Sequence, residues 1–348
     1  MNGLNPKERL LKVLCKESVD RPPVICPGGM MNAAVVDVMN ASGHTLPAAH
    51  SDAAMMAALA AAVHQYTGFE NLGIPFCMTA EAEVLGSTVD CGTISCEPKI
   101  VKEIFSSAAD ASFKDIDAML NSGRIQAVAK AAQLLAAQYP AVPVAGNLTG
   151  PVSAAASIID PMRFLKDLRK NSAASHRVMD YVTAFLIAFA TLLIDNGVTL
   201  ISIADPTATG EILGPKIFNE YALTYLNKLI DAIHAHKSPD GHNIPVIVHI
   251  CGDMNAVKQL IPAIKADAIS TDAVVNLRQL KEEFPGLVTM GNLSTYLLEF
   301  GPTDKIISQT KRLAADGINI ISPACGLSTS TAIQHIQAMT DAVKSGKE

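Results

Sequence analysis

Tryptophan is absent from the chain, and aromatic residues make up only 5% of it. Charge is sparse as well, at 17% of residues, and acids outnumber bases to leave a net charge of −6. So few cations provide no basic footprint for nucleic acid or for an anionic membrane surface. The mild acidic balance singles out no partner. Long apolar runs are missing too. The longest, residues 182–194, closes on Asp195; it is too short to span a bilayer and suits a buried helix. Residues 1–9 are polar and lack the apolar stretch of a signal peptide, so the expected location is the cytoplasm. Gly28-Gly29 lacks the spacing of a dinucleotide fingerprint, no phosphate loop is present, and no repeat of fixed period emerges. Seven cysteines at irregular spacing do not make the framework of a small exported domain, which leaves free thiols or metal ligands.

What is there is apolar residue in quantity: 49% of 348 residues, enough for a large core. Short apolar stretches at 24–26, 72–77, 142–147, 200–205, 246–251, 268–272, 287–292 and 318–322 have the length and composition of strands. Helical patterns occupy 5–16, 55–65, 125–138, 161–170, 173–194, 219–236, 256–264, 277–283, 303–315 and 331–344. Residues 81–102 break into alternating pieces and are expected to form a small β-rich excursion. Strand and helix thus alternate eight times, with crossovers long enough for parallel pairing. The pattern predicts a (β/α)₈ TIM barrel, a single domain over residues 1–348 with an N-terminal helical extension. A doubly wound open sheet is the alternative, because closure leaves no mark in sequence.

On a barrel the ends of the strands carry the chemistry. Cys26, Asn147, Asp205, His249, Cys251, Asp272, Asn292 and Cys325 all lie at or just beyond predicted strand ends. Within the stretch Val246-Ile247-Val248-His249-Ile250-Cys251-Gly252-Asp253, His249 and Cys251 stand two apart, so both side chains face one side of the strand. Cys325, in Ser322-Pro323-Ala324-Cys325-Gly326, arrives from the eighth strand. A lone cysteine or histidine there would be an ordinary packed residue. One imidazole and two thiols converging on one mouth fit Zn²⁺ with a fourth position open to substrate. Asp272 is a candidate fourth metal ligand and catalytic acid, or else a solvated acid or a cap for the helix at 277. Asp205 is a candidate to bind substrate or accept a proton. Cys91 and Cys96 flank a hairpin, Cys26 and Cys77 read as packed, and His44, His50 and His64 as surface or packing residues. The pairs Met30-Met31 and Met55-Met56 read as core filling.

His249-Ile250-Cys251-Gly252 with the distant Cys325-Gly326 resembles the methylcobamide:coenzyme M methyltransferases, a zinc branch of the uroporphyrinogen decarboxylase superfamily. Pro6-Lys7-Glu8-Arg9, Val19-Asp20-Arg21-Pro22-Pro23, Thr79-Ala80-Glu81-Ala82-Glu83, Gly150-Pro151 and Ala204-Asp205-Pro206-Thr207-Ala208 look like superfamily sequence, so the resemblance extends over nearly the whole chain. It implies a barrel that takes a methyl group from a methyl-Co(III) corrinoid carried by a separate protein and gives it to a zinc-bound thiolate. It also implies zinc ligation by His249, Cys251 and Cys325. Asp272 falls where the family places an acidic fourth ligand, usually Glu. Coenzyme M is the family's usual acceptor, and tetrahydrofolate is an alternative. The superfamily's decarboxylases hold tetrapyrrole carboxylates with arginines shortly after the N-terminal Pro pair, whereas residues 24–32 here contain none. A non-catalytic corrinoid-binding protein is the remaining reading.

Overall fold

The computed structural model describes residues 3–345. Asn5 caps the first helix, Pro6–Leu14, through a reciprocal pair with Glu8, and Pro6 occupies a first-turn position where no amide is needed. The helix carries Arg9 to the buried carboxylate of Glu70 (2.8 Å) and to Asp20 (2.8 Å). Arg21 reaches Glu70 as well (2.7 Å). Glu70 also accepts the amide of Val24 at 3.0 Å, so one carboxylate ties the extension to the start of the barrel.

Six strands form one parallel sheet in chain order: Leu72–Ile74, Val144–Thr149, Leu200–Ala204, Val246–Ile250, Ala268–Thr271 and Thr289–Met290. Apart from half-buried Gly73 every residue in them is buried, as expected for parallel strands covered on both faces. The ring closes through two segments that each hold only isolated bridges. Ile320 pairs with Met290, and Ile321 pairs with Val24. Pro22, Pro23 and Pro27 flank residues 24–26 and deny them further donors, which keeps this first stave short. On its other side the Glu70 amide donates to the Val24 carbonyl (2.8 Å), and the Asn71 side chain bonds both the amide and the carbonyl of Cys26 at 2.9 Å. A side chain thus completes the ladder where backbone register runs out. The expected barrel is present, and its closure excludes the open sheet.

Most expected helices appear within a residue or two of their predicted bounds, including Pro161–Lys170, Leu277–Glu283 and Thr303–Ala315. The apolar run expected as a buried helix lies inside Ser172–Asp195 and packs on the barrel. Residues 81–102 need correction. Ala80–Leu85 is helical, and only Thr88–Asp90 and Lys99–Lys102 form the antiparallel hairpin. Short helices at Val36–Ser42, Gly210–Ile217 and Thr295–Phe300 were not expected. Each is too short to display a full apolar period.

Two tight approaches shape the mouth. Gly28 (φ +101°) and Gly29 (φ +61°) adopt left-handed backbone, and a Cβ on either would lie within 3 Å of the Asn147 side chain. Asn147 Nδ2 in turn donates to the carbonyls of Pro27 (2.7 Å) and Ile74 (2.9 Å). The glycine pair therefore serves packing of the loop over the first strand.

Replacing Glu70 by Ala leaves Arg21 without its acid and Arg9 with Asp20 alone, and should cost about 3 kcal/mol in urea unfolding. The same cluster sets an acid limit. The hydrogen bond from Arg9 holds Asp20 at about 2. Burial pushes Glu70 up, but Arg21, the Val24 amide and Arg9 outweigh it and leave Glu70 lowered. Both acids titrate lower in the folded chain, so their contribution is complete above roughly pH 4 and is lost as pH falls toward 2. Urea midpoints measured from pH 5 to pH 2 should show this loss, and Glu70→Ala should flatten it.

Candidate metal centre

The strand Val246–Ile250 brings His249 to the mouth fully buried, with its neighbour strand in register beside it. His249 lies opposite Ser270, whose Oγ is 2.9 Å from Nδ1. That contact orients the ring and leaves Nε2 facing Cys251 Sγ at 2.9 Å. Cys251 Sγ is 3.2 Å from Cys325 Sγ, and both cysteines are free thiols. The ligand atoms of His249, Cys251 and Cys325 all lie within 4.8 Å of one another, and no other group of three or more His, Cys, Asp or Glu does so among the described residues.

Two glycines let the chain reach this arrangement. Gly252, directly after Cys251, has φ +76°, and a Cβ there would lie 2.6 Å from Glu211 Oε1. Gly326, directly after Cys325, faces the Met30 carbonyl so closely that a Cβ would lie 2.3 Å from it. The loop after the first strand therefore rests on the Cys325 turn. It sets Met30 Sδ 4.0 Å from Cys251 Sγ. Met31 is core filling as expected, but Met30 stands beside the donors, and nothing in sequence separated the two.

The two thiols share a proton. A hydrogen bond from Cys251 lowers Cys325 to about 5, burial opposes this, and His249 adds to the lowering. Cys251 is raised in return, first by that hydrogen bond, then by burial and by the negative charges of Cys325 and Asp272. The pairing thus favours the thiolate form at Cys325 over that at Cys251. Such a set of one nitrogen and two sulfurs, close enough to surround a single ion, suits zinc.

Profile comparison matches residues 5–346 to the uroporphyrinogen decarboxylase (URO-D) family model. The chain belongs to the uroporphyrinogen decarboxylase family. Within it, the chain is 31% identical to the methylcobamide:CoM methyltransferase MtbA of Methanosarcina acetivorans over 100% of both chains. It is 27% identical to methylcobamide:CoM methyltransferase MtaA of Methanosarcina barkeri, over 98% of each. A solved structure of a methyltransferase from Methanosarcina mazei superposes with a TM-score of 0.90 at 26% identity, covering 98% of this chain and 99% of that one.

The remaining expected site residues of this URO-D family chain are placed differently. Asp272 follows Thr271, which pairs with Ile250, so it stands alongside Cys251. Its carboxylate accepts the Val274 amide at 3.2 Å, and it is not part of the donor group. Asp205 is buried, and its oxygens accept the amides of Val152 (3.1 Å) and Ser153 (2.8 Å) and the Ser153 hydroxyl (2.7 Å). It therefore anchors the start of the helix Pro151–Ala156, and burial pushes its carboxyl up to about 6. Cys26 is packed, donating to the Met31 carbonyl at 3.0 Å. Cys91 and Cys96 lie at the hairpin tip and stay outside the donor group. The hairpin nevertheless reaches the site, because Thr329 Oγ1 donates to the Ser95 carbonyl at 3.0 Å, four residues beyond Cys325.

In metal-stripped protein, iodoacetamide alkylation of Cys325 should titrate below the ordinary thiol range. Cys251→Ala removes the donor and should move the midpoint up toward the ordinary thiol range of roughly 8.5. Peptide mapping reads the modified residue, and an unmoved midpoint would reject the shared proton.

Proposed function

We propose that this chain is a zinc-dependent corrinoid methyltransferase acting in the cytoplasm. The methyl group of a methylcobamide carried by a separate corrinoid protein passes to a small thiol such as coenzyme M. The observation that carries this reading is the trio His249, Cys251 and Cys325, with all donor atoms within 4.8 Å at the C-terminal mouth of the barrel. Full-length similarity to relatives named as methylcobamide:CoM methyltransferases supports the donor and the acceptor class.

His249 through Nε2, Cys251 and Cys325 would hold the zinc ion, and the fourth position is left for the acceptor. Zinc bound there would make an incoming thiol acidic enough to stay as thiolate at neutral pH. The chain's own residues supply the rest. Ser270 fixes the imidazole so that Nε2, and not Nδ1, faces the sulfurs. The Cys251 thiol beside Cys325 favours its thiolate, the form a metal would bind. Met30 covers one side of the sulfurs with an apolar group, which limits hydration of the nucleophile. Attack on the methyl carbon requires the sulfur in line with the cobalt–carbon bond, which an open barrel mouth permits. Asp272, which follows the strand residue paired with Ile250, would be the nearest acid to exchange with the acceptor at the open position. Asp205 acts through the loop that it anchors, since its carboxylate bonds go to residues 152 and 153.

Metal analysis should find about one zinc per chain, and Cys251→Ala or Cys325→Ala should each lose most of it. Full zinc retention in both variants would sink the site. Ser270→Ala should weaken metal affinity by roughly 10- to 100-fold without removing a ligand. A demethylation assay with methylcobalamin and coenzyme M, tetrahydrofolate or homocysteine in parallel decides the reaction. Consumption only with thiols is expected, and no consumption with any acceptor would leave a binding protein.

A further inference from the structure

Met30 and Met31 part ways at the mouth. Gly28 and Met31 exchange both of their backbone hydrogen bonds (3.1 and 2.9 Å), so Gly29 and Met30 form the tip of a tight turn. The turn is clamped on two sides. The Gly29 amide donates to the Pro75 carbonyl at 2.7 Å, and the Met30 carbonyl lies against Gly326, where a Cβ would be 2.3 Å away. Backbone held in this way fixes where both side chains start. Met31 enters the core, with Sδ 3.9 Å from the Oγ of Ser270, the residue that orients His249. Met30 stays half-buried, with Sδ 4.0 Å from Cys251 Sγ, although 221 residues separate the two in the chain.

That distance is the one two sulfurs take around a single ion. Bonds of about 2.3 Å at a tetrahedral angle set two sulfurs about 3.8 Å apart, and the longer bond of a thioether adds slightly to this. Within the trio, hydrogen bonds draw Cys251 Sγ to 2.9 Å from His249 Nε2 and 3.2 Å from Cys325 Sγ, whereas Met30 Sδ already stands at the separation of a ligand. No other His, Cys, Asp or Glu joins the donor group among the described residues, and the Asp272 carboxylate accepts the Val274 amide instead. Charge favours the thioether as well. A divalent ion with two thiolates and two neutral donors sums to zero, whereas a carboxylate in the fourth position would leave a net anion in a partly buried site.

We propose that Met30 Sδ is the fourth, exchangeable ligand of the zinc site at rest. The inference rests on the zinc and thiol-acceptor readings above and names the group that the acceptor displaces. In the exchange, the acceptor thiol gives its proton to solvent and its sulfur takes the place of Met30 Sδ. The bond between the metal and Met30 breaks, with the electron pair kept on the thioether. A neutral donor is thereby replaced by an anionic one, which leaves the charge on the sulfur that attacks. After methyl transfer the acceptor is itself a neutral thioether, the same ligand class as the Met30 side chain. Return of Met30 Sδ then expels the product without a proton transfer, so one side chain serves both entry and release.

Selenomethionine labelling separates Met30 from the cysteines, which keep their sulfur. X-ray absorption at the zinc edge of the labelled, zinc-loaded protein should show about one selenium per zinc at bonding distance, beside two sulfurs and one nitrogen. Met30→Leu, which nearly conserves side-chain volume, should keep its zinc and lose the selenium shell, whereas Met31→Leu should retain that shell. Saturating 2-mercaptoethanesulfonate or 2-mercaptoethanol should replace the selenium by a third sulfur. A first shell completed by oxygen, from Asp272 or water, with no selenium overturns the inference and leaves the zinc site standing. A selenium shell that survives in Met30→Leu, or that persists with both thiols, overturns it as well. Protein that takes up no zinc overturns the zinc reading, and the inference with it.

Discussion

Everything at the mouth depends on how the cylinder is joined. Cys251 and Cys325 are 74 residues apart in sequence and meet only because the ring closes. The closure is slight in hydrogen bonds: bridges from Met290 to Ile320 and from Leu293 to Pro323, one from Ile321 to Val24, and the Glu70 amide on the Val24 carbonyl. Charge and side chains reinforce it. Glu70 gathers Arg9, Arg21 and the Val24 amide on one carboxylate, and Asn71 replaces the missing backbone ladder to Cys26. A buried carboxylate shared by two guanidinium groups is costly to disrupt, because losing it leaves Arg21 without its acid and Arg9 with Asp20 alone. The seam therefore holds the last stave against the first, and with it the turn that presents Cys325.

Once the staves are held, close contact between loops does the rest. Gly28 and Gly29 let the first loop lie on Asn147, and Gly326 lets that loop lie on the Cys325 turn. A side chain at any of these positions would push the layers apart by more than the tolerance of a metal site. Ser270 is the other half of this control. By meeting Nδ1 from the adjoining strand, it converts a buried imidazole into a donor aimed at two sulfurs. The proton shared by those sulfurs is a product of the same approach, since 3.2 Å is close enough for a thiol to donate and too far for a disulfide.

The electrostatic character of the mouth follows from composition as much as from geometry. Cations are scarce in the chain, and those near the mouth are turned to partners of their own. Carboxylates remain around a centre whose own donors become anionic on losing protons. A divalent cation would offset that concentration of charge. Residues 24–32, after the first strand, hold no arginine to meet the carboxylates of a porphyrinogen.

Local pattern carried much of this structure. The alternation of eight strands and their helices, the shared face of His249 and Cys251, and the position of Cys325 at a strand end were all legible, because periods of two and 3.6 residues are written directly in side-chain order. Short helices such as Ala80–Leu85 and Thr295–Phe300 were not legible, since they complete too few turns to show a period. Nor did sequence separate Met30 from Met31, or reveal that Asp205 faces a helix start while Asp272 stands beside Cys251: each distinction depends on which backbone comes near the side chain. Sequence alone thus determined which donors exist and which strand ends carry them. Only the closed ring decided which of them meet, because a hydrogen-bonded approach of 3 Å between residues 74 positions apart is a property of packing and not of pattern.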